Sequence, residues 1–279
     1  MNAVLAKNIA RYRKNIGFTQ EDLAQKLHIS AQAVSKWETG QSQPDISLLP
    51  DLAFALDTDI NSLIGYVYDR KKITIYEDEY RQEEYYWGLK PSLMCYRVLE
   101  LLPPVRPLRL LDIGCGEGKD AVFFARNGYI VTGFDIADAG IEKTKRLAEK
   151  YNVHVNVIKA NLLDFRLDTE FDIIYSSGVL HYISQELRKE IFDNYKKNTA
   201  VGGIHVLNVF VEKPFIPPPP EKQTNAHKWI SGELFTHYYD WNIQTCDEVI
   251  FDCNSSGISH KHCMDIIIAV KSNSLSISK

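Results

Sequence analysis

The sequence predicts two domains of different class: a small all-α domain over residues 1–66 and an α/β domain with a doubly wound sheet over 87–272. Three observations carry this. The first 66 residues contain no strand-like run. After residue 107, short apolar runs alternate with helical stretches, the pattern of strand–helix units that builds a parallel sheet. The first of those runs, 108–113, stops at Gly114-x-Gly116-x-Gly118. A strand, a glycine turn and a helix make a place where a ligand can lie against bare backbone and a helix N-terminus.

Composition narrows the class. A chain of 279 residues, 45% of them hydrophobic, holds one large or two ordinary domains. A net charge of −4 does not point to a polyanion-binding surface. No stretch is long and apolar enough to span a membrane, and residues 1–14 alternate charged with apolar residues without a signal-peptide core. Cys95, Cys115, Cys246, Cys253 and Cys263 are odd in number and scattered. They read as reduced thiols of a cytoplasmic protein rather than a disulfide framework.

In the first domain, Leu5, Ile9, Tyr12 and Ile16 fall at helical spacing, and Gly17 ends that helix. Thr19 caps a second helix, with Asp22 three residues on and Leu23 and Leu27 facing inward. Ser30 caps a third, 31–39, ended by Gly40. Asp45 caps a fourth with Ile46, Leu49, Leu52, Ala53 and Leu56 on one face, and a last short helix covers 60–64. Two short capped helices joined tightly at His28-Ile29 are a helix-turn-helix signal.

The run Gly17-Phe18-Thr19-Gln20-Glu21-Asp22-Leu23-Ala24, then Ser30 through Trp37-Glu38-x-Gly40, then Pro44, resembles the Cro/C1-type (XRE) helix-turn-helix family. The resemblance implies that the third helix enters the major groove of double-stranded DNA. Matched residue by residue, it implies Gln20, Gln32, Ala33, Ser35 and Lys36 as DNA-facing, with Gln20 and Lys36 on phosphates and Gln32 on adenine edges. It turns Val34 and Trp37 inward and places Arg13 and Glu38 where the family has a structural ion pair. Six basic against seven acidic side chains depart from the basic surplus of a strong DNA binder. A helical dimerisation or protein-contact module is the alternative.

Residues 67–86, rich in charge and tyrosine, read as a linker or a loosely packed helix. Tyr85-Tyr86-Trp87 opens the second domain, and its aromatics suit either core packing or the covering of a cation. The glycine spacing then decides among ligands. A dinucleotide fingerprint needs Gly-x-Gly-x-x-Gly. Here the third glycine comes one residue early, and position 119 is lysine. Asp112 precedes the first glycine by two, and the second strand, 129–134, ends at Asp135, placed to accept from two ribose hydroxyls.

Asp-x-Gly-x-Gly-x-Gly followed by a strand and an acid resembles the class I S-adenosylmethionine (SAM)-dependent methyltransferases. The resemblance implies a Rossmann-like, seven-stranded methyltransferase sheet with SAM as cofactor. It implies cofactor contacts from Tyr86, Asp112, Gly114, Cys115, Gly116, Asp135, Ile136, Asn161, Leu162 and Ser176. Methyltransferases commonly have Asp-Leu where this chain has Asn161-Leu162, and an amide oxygen still accepts from an adenine amino group.

The remaining elements alternate: helix 139–151, strand 155–159, strand 171–175, helix 185–198, a turn at Gly202-Gly203 and strand 204–211. Residues 213–227 break the pattern with four consecutive prolines from Pro217 to Pro220, read as a lid or a plain surface loop. Trp229, Gly232-Glu233-Leu234, Tyr238-Tyr239 and Trp241, with the run from Leu111 to Leu180, are similar to the tellurite-resistance methyltransferase family over roughly 87–271. A hairpin, 248–253 and 260–270, closes the domain, and 273–279 reads as a flexible tail.

These resemblances imply methyl transfer to a small acceptor: a thiol, a metalloid oxyanion or another small molecule. An oxygen or nitrogen acceptor would want a base, and His181 is the nearest candidate by sequence; packing beside Tyr182 is its alternative role. The competing reading is a transcriptional regulator whose second domain senses SAM or a small ligand without turnover. His260 and His262 share one strand face, Cys263 points to the other, and Cys253 lies across the hairpin. A soft-metal or metalloid site from Cys253, His260 and His262 is weighed against hairpin packing with exposed histidines; packing is preferred and no metal is assigned. The expected partners are the methyl acceptor and double-stranded DNA through residues 1–66, with a homodimer left open and no membrane.

Overall fold

Helices of the amino-terminal segment begin where a side-chain oxygen can take up free backbone N–H groups. The computed structural model describes residues 2–65, 74, 76–218, 226–254 and 258–272. It divides into two units, Met1–Arg70 and Lys71–Lys279. In the first, helices α1 (Asn2–Asn15), α2 (Gln20–Lys26) and α3 (Ala31–Glu38) are followed by α4 (Leu49–Ala55) and α5 (Ile60–Ile64). Thr19 Oγ1 accepts from the Asp22 N–H at 3.1 Å while Asp22 Oδ2 accepts from the Thr19 N–H at 2.8 Å, a reciprocal capping box. Ser30 Oγ accepts from the Ala33 N–H at 3.2 Å, and His28 takes φ 55° in the turn between α2 and α3. Ile9, Leu23, Ala24, Val34, Trp37, Leu52, Leu56 and Leu63 form the core of this unit.

One expectation here is corrected. The sequence pattern puts Ile46 on the inner face of a helix capped by Asp45, whereas in the structure it is exposed. Asp45 caps a separate 3₁₀ turn, Ile46–Leu48, and α4 begins after it with Pro50 in its first turn. The tighter turn breaks the 3.6-residue period ahead of Leu49.

The second unit begins, among the described residues, with α6 (Tyr76–Tyr80) and α7 (Leu93–Leu101). Then come β1 (Arg109–Ile113), α8 (Lys119–Arg126), β2 (Ile130–Asp135), α9 (Asp138–Lys150), β3 (Val155–Lys159) and β4 (Phe171–Ser176). After these follow α10 (Gln185–Lys197), β5 (Thr199–Val211), α11 (Glu233–Thr236), β6 (Asn242–Cys253) and β7 (His260–Val270). The sheet has seven strands in the order β3-β2-β1-β4-β5-β7-β6. The first five named are parallel to one another, whereas β7 runs antiparallel to both β5 and β6.

Neighbouring residues of the central strands enter two different cores, one on each face of the sheet, as a period of two requires. Leu111, Ile174, Leu207 and Ile267 belong to one, and Leu110, Ile173, Val206 and Ile268 to the other. Burial on both faces is why these strands read as continuous apolar runs. The strand order reverses at β1, between β2 and β4, so the site for a ligand lies beyond the carboxyl ends of these strands.

Two further expectations differ. From Tyr76 on, the segment read as a linker or a loosely packed helix does form a helix, α6, but a firmly packed one: Glu77 and Tyr80 are buried, and Tyr80 lies against Gly116 and Gly140, where a Cβ would come within 3.1 Å and 3.0 Å of it. Only glycines in the loop and in α9 admit the ring, so its burial is not visible in the charge pattern of 76–86. Gly202-Gly203, read as a turn before the fifth strand, lies inside β5, which starts at Thr199. A Cβ on Gly203 would stand 2.7 Å from the Asp172 carbonyl oxygen, so glycine here lets β4 approach at a shift in register. Pro217 and Pro218 are exposed; Pro219, Pro220, residues 255–257 of the hairpin turn and the tail 273–279 lie outside the described residues.

Candidate functional site

The turn after β1 is built by backbone freedom. Gly114 has φ 66°, and an added Cβ would sit 2.8 Å from Val179 in the loop after β4. Gly116 has φ 54° and faces Tyr80. Both conformations are costly for residues with a Cβ, and both glycines let flanking side chains close on the loop. The turn then feeds α8, and the Ala121 N–H in its first turn bonds to the Asp112 carboxyl.

Two acids frame this loop. Asp135, at the end of β2, accepts from the Gly116 N–H at 2.8 Å through Oδ2 and from the Ala137 N–H at 2.9 Å through Oδ1. It thereby holds the glycine turn, and the Ile136 N–H adds a third backbone donor to the same carboxyl. Burial pushes its carboxyl above the ordinary range, against the pull of those N–H donors. Asp112, in β1, is 2% exposed, and its Oδ2 has no hydrogen-bond partner among the described residues. Burial, then the nearby charge of Asp120, pushes its carboxyl well above the ordinary range. A buried carboxylate oxygen with nothing to bind is costly and marks a place where a cation is wanted.

The other residues singled out for the cofactor gather unevenly around this pair. Cys115 is buried, its N–H donating to the Phe134 carbonyl at 3.0 Å, and burial pushes its thiol up. Ile136 is half-buried after Asp135. Ser176 is fully buried, its Oγ 3.5 Å from the Ile113 carbonyl. Asn161 spends Oδ1 on the Leu163 N–H at 3.0 Å, a local turn, and Leu162 is part of the core. Tyr86 meets Trp87 edge-on at 4.8 Å and Tyr76 at 5.9 Å, in an aromatic group that includes Tyr80. His181 is 3% exposed, its ring 4.2 Å from Tyr182 and 5.1 Å from Phe210.

A polar network behind the loop had no clear sequence signal. Asp120 in the first turn of α8 accepts from the Tyr175 hydroxyl, the Ser92 N–H and Lys119 Nζ, each at 2.8 Å. Glu117 and Lys143 form an ion pair at 2.7 Å with both side chains 2% exposed; Lys143 also donates to the Glu84 carbonyl, and Glu117 accepts from the Trp87 N–H. Acids at a helix start read as macrodipole complements. That these two tie down 84–92 depends on contacts far apart in sequence.

In the amino-terminal unit, Gln32 and Lys36 are exposed on α3, Ala33 and Ser35 are half-buried there, and Val34 and Trp37 face inward. Gln20 differs from its expected part: its Nε2 donates to Glu38 Oε2 at 2.8 Å. Glu38 in turn accepts from Arg13 Nε at 2.6 Å and Nη2 at 3.0 Å.

A family model described as tellurite resistance protein TehB matches residues 75–257, which hold the parallel strands of this sheet, the glycine turn and the pair of acids. The chain belongs to this family. A second model, described as helix-turn-helix, matches residues 9–63. A probable S-adenosyl-L-methionine-dependent methyltransferase TehB of Haemophilus influenzae is 26% identical over 152 residues, 54% of this chain and 52% of that protein. The chain thus spans about half the length of that curated relative. The crystal structure of TehB from Haemophilus influenzae superposes with a TM-score of 0.59 at 20% identity, covering 71% of this chain and 66% of that one. A Burkholderia thailandensis 1,6-didemethyltoxoflavin-N1-methyltransferase, solved with its namesake compound and S-adenosylhomocysteine, superposes at 0.55 with 16% identity, covering 73% and 87%. At these identities the solved structures establish the fold. Among the described residues, no helix is long and apolar enough to cross a membrane.

The residues around the TehB-family loop fit the sulfonium cofactor on their own chemistry. Asp112 Oδ2 suits an ammonium group, and Asp135 retains acceptor capacity for a hydroxyl.

Proposed function

We propose that the unit Lys71–Lys279 binds SAM and transfers its methyl group to a small, soft acceptor, a thiol or a metalloid oxyanion. We propose that residues 1–66 bind double-stranded DNA. The observation that carries the first reading is Asp112 Oδ2, buried without a partner beside a glycine turn that Asp135 holds.

In this reading Asp112 holds the amino group of the cofactor. Asp135 would accept from ribose hydroxyls. SAM supplies an electrophilic methyl on a sulfonium. The work of the chain is alignment and exclusion of water, which can lower a bimolecular barrier by about 7–11 kcal/mol. A soft nucleophile needs no proton removed at the moment of attack if it arrives as an anion. The buried His181, packed between Tyr182 and Phe210, then shapes the wall of the site rather than moving a proton.

The test is calorimetric SAM titration together with S-adenosylhomocysteine release in the presence of small thiols, selenite or tellurite. SAM binding lost in Asp112→Ala, with release from wild type, supports the assignment. SAM binding without release from any acceptor favours a sensing role instead. For the amino-terminal unit, exposed Gln32 and Lys36 on α3 carry the reading. Gel shifts should show Lys36→Ala weakening all sequences alike and Gln32→Ala relaxing choice at one position. Absence of salt-sensitive binding at low ionic strength would point to a protein-contact module.

A further inference from the structure

The β6–β7 hairpin carries a cluster separate from the glycine turn. Cys253 stands opposite His260 in the strand register, and His262 opposite Phe251. Residues directly opposite in an antiparallel pair share a face, and so do residues two apart, so Cys253, His260 and His262 project to one side. Their ligand atoms all lie within 4.8 Å of one another. All three are half-buried, so the cluster is both ordered by packing and reachable from solvent.

The histidine geometry is specific. His260 Nδ1 is 2.7 Å from the Ile258 carbonyl oxygen, which can only accept, so Nδ1 carries the proton. In the neutral ring, His260 Nε2 then presents a lone pair. It points at His262 Nε2, 2.9 Å away. Two ring nitrogens aimed at one another need a shared proton or a shared cation. A carbonyl fixing the far nitrogen of a histidine is the outer-shell arrangement that orients imidazole ligands on metals. With Zn–N bonds of about 2.0–2.1 Å, a tetrahedral site spaces two nitrogens roughly 3.3 Å apart, a small ring movement from what is observed. Phe210 and Phe251 pack against His262 at 4.9 Å and 5.7 Å and line one side with apolar surface, which strengthens a charge–ligand contact.

We propose that Cys253, His260 and His262 bind a borderline transition-metal dication of the Zn²⁺ class. One sulfur and two nitrogens form the ligand set, and one coordination position stays open. A thiolate and two imidazoles select against Mg²⁺ and Ca²⁺, which take oxygen ligands. Three protein ligands rather than four give the open type of site.

The experiment uses the full-length, tag-free protein. Zn²⁺ titration against a competing chelator dye should give one site per chain, and Co²⁺ should give a thiolate-to-metal charge-transfer band with tetrahedral ligand-field intensity. Cys253→Ser and His262→Ala should each weaken Zn²⁺ by at least about tenfold, the low end of what loss of an outer-shell partner costs elsewhere. Cys253→Ser should also abolish the charge-transfer band. Thermal unfolding of both variants without metal, superimposable on wild type, shows that the fold is kept. If either variant unfolds early, His260→Gln and His262→Gln serve in its place, with the same expected loss. Zn²⁺ affinity unchanged in folded variants, no binding above theirs in wild type, or a Co²⁺ spectrum without a sulfur band overturns the proposal.

Discussion

Asp112 and Asp135 border the same glycine turn with opposite accounts: both oxygens of Asp135 accept backbone N–H groups, whereas Oδ2 of Asp112 is buried with no partner among the described residues. Burial and the Asp120 charge hold the Asp112 carboxyl well above the ordinary range, with Lys119 pulling the other way and Asp135 adding to the rise. Below that raised pKa, Asp112 is protonated and cannot pair with an ammonium. SAM binding should therefore release a proton, and affinity should climb as pH rises through the window above the ordinary carboxylate value, by at most tenfold per unit for one proton. Calorimetry in buffers of different ionisation enthalpy reads the proton directly. Asp112→Asn should flatten the dependence; proton uptake, or the same slope in that variant, contradicts the assignment.

Asp135→Ala removes two things at once, the acceptor for ribose hydroxyls and the anchor of the Gly116 N–H. SAM affinity should fall by roughly 1.5–3 kcal/mol, the scale of hydrogen bonds to a charged group. Asp135→Asn keeps an oxygen for the Gly116 N–H and should lose less. Equal affinity in folded Asp135→Ala would remove this residue from the site.

His205 is buried between Thr199 and Tyr238. Thr199 Oγ1 donates to the Tyr195 carbonyl, so it accepts from His205 Nε2, and Nδ1 accepts from the Tyr238 hydroxyl. Burial, then Lys196 and Lys271, hold this imidazole neutral well below its ordinary pKa. A depressed histidine pKa gives stability that is full above the unfolded value of ~6.5 and is lost as pH falls, at most about 1.4 kcal/mol per unit. Urea unfolding followed at pH 7 and pH 5 should show this slope in wild type and a shallower one in His205→Gln. His237, whose pKa burial also lowers, keeps some slope in the variant.

Much of this was legible in the sequence because it rests on local rules. The Thr19 box and the Ser30 cap need only residues three apart, and the β1 turn announces itself through glycines. Strand identities follow from apolar runs, since both faces of the sheet are covered. What was not legible depends on distant contacts. Tyr80 is buried because Gly116 and Gly140, far along the chain, leave space for its ring. Gln20 turns to Glu38 rather than outward because a second donor satisfies a carboxylate already shared with Arg13. The Cys253–His262 cluster could be named from strand parity, but its closeness depended on the register of the hairpin.

Arg13 and Glu38 have side chains 9% and 8% exposed, so each covers a charge that the other cannot leave unpaired. Glu38→Ala would strand a buried guanidinium, a change that costs about 3–5 kcal/mol where one partner of a buried pair is removed. In an all-α unit of this size that approaches the whole stability. Hydrogen exchange on the full chain should show protection lost across α1 to α3 while β1, β4 and β5 remain protected. Retained protection in α1 to α3 would mean that the remaining Arg13 bond to the Phe18 carbonyl, at 2.5 Å, suffices.

His181 is the last test, because the acceptor class turns on it. The residue is 3% exposed, its ring packs on Tyr182 and Phe210, and its backbone carbonyl accepts from the His227 N–H at 2.8 Å. A general base must reach the proton it takes, whereas a packing residue needs only its volume. With thiol, selenite or tellurite as acceptor, His181→Phe should keep turnover near wild type. His181→Ala should lose less than the 10²–10⁴-fold typical of removing a base, through loosened packing alone. Rates are read as S-adenosylhomocysteine release at saturating SAM, with SAM affinity checked in each variant. Loss of 10²-fold or more in both variants, at unchanged SAM affinity, would make His181 the base and move the acceptor to a protonated oxygen or nitrogen. Loss in alanine but recovery in phenylalanine keeps the alignment mechanism, since the phenyl ring restores bulk and no proton acceptor.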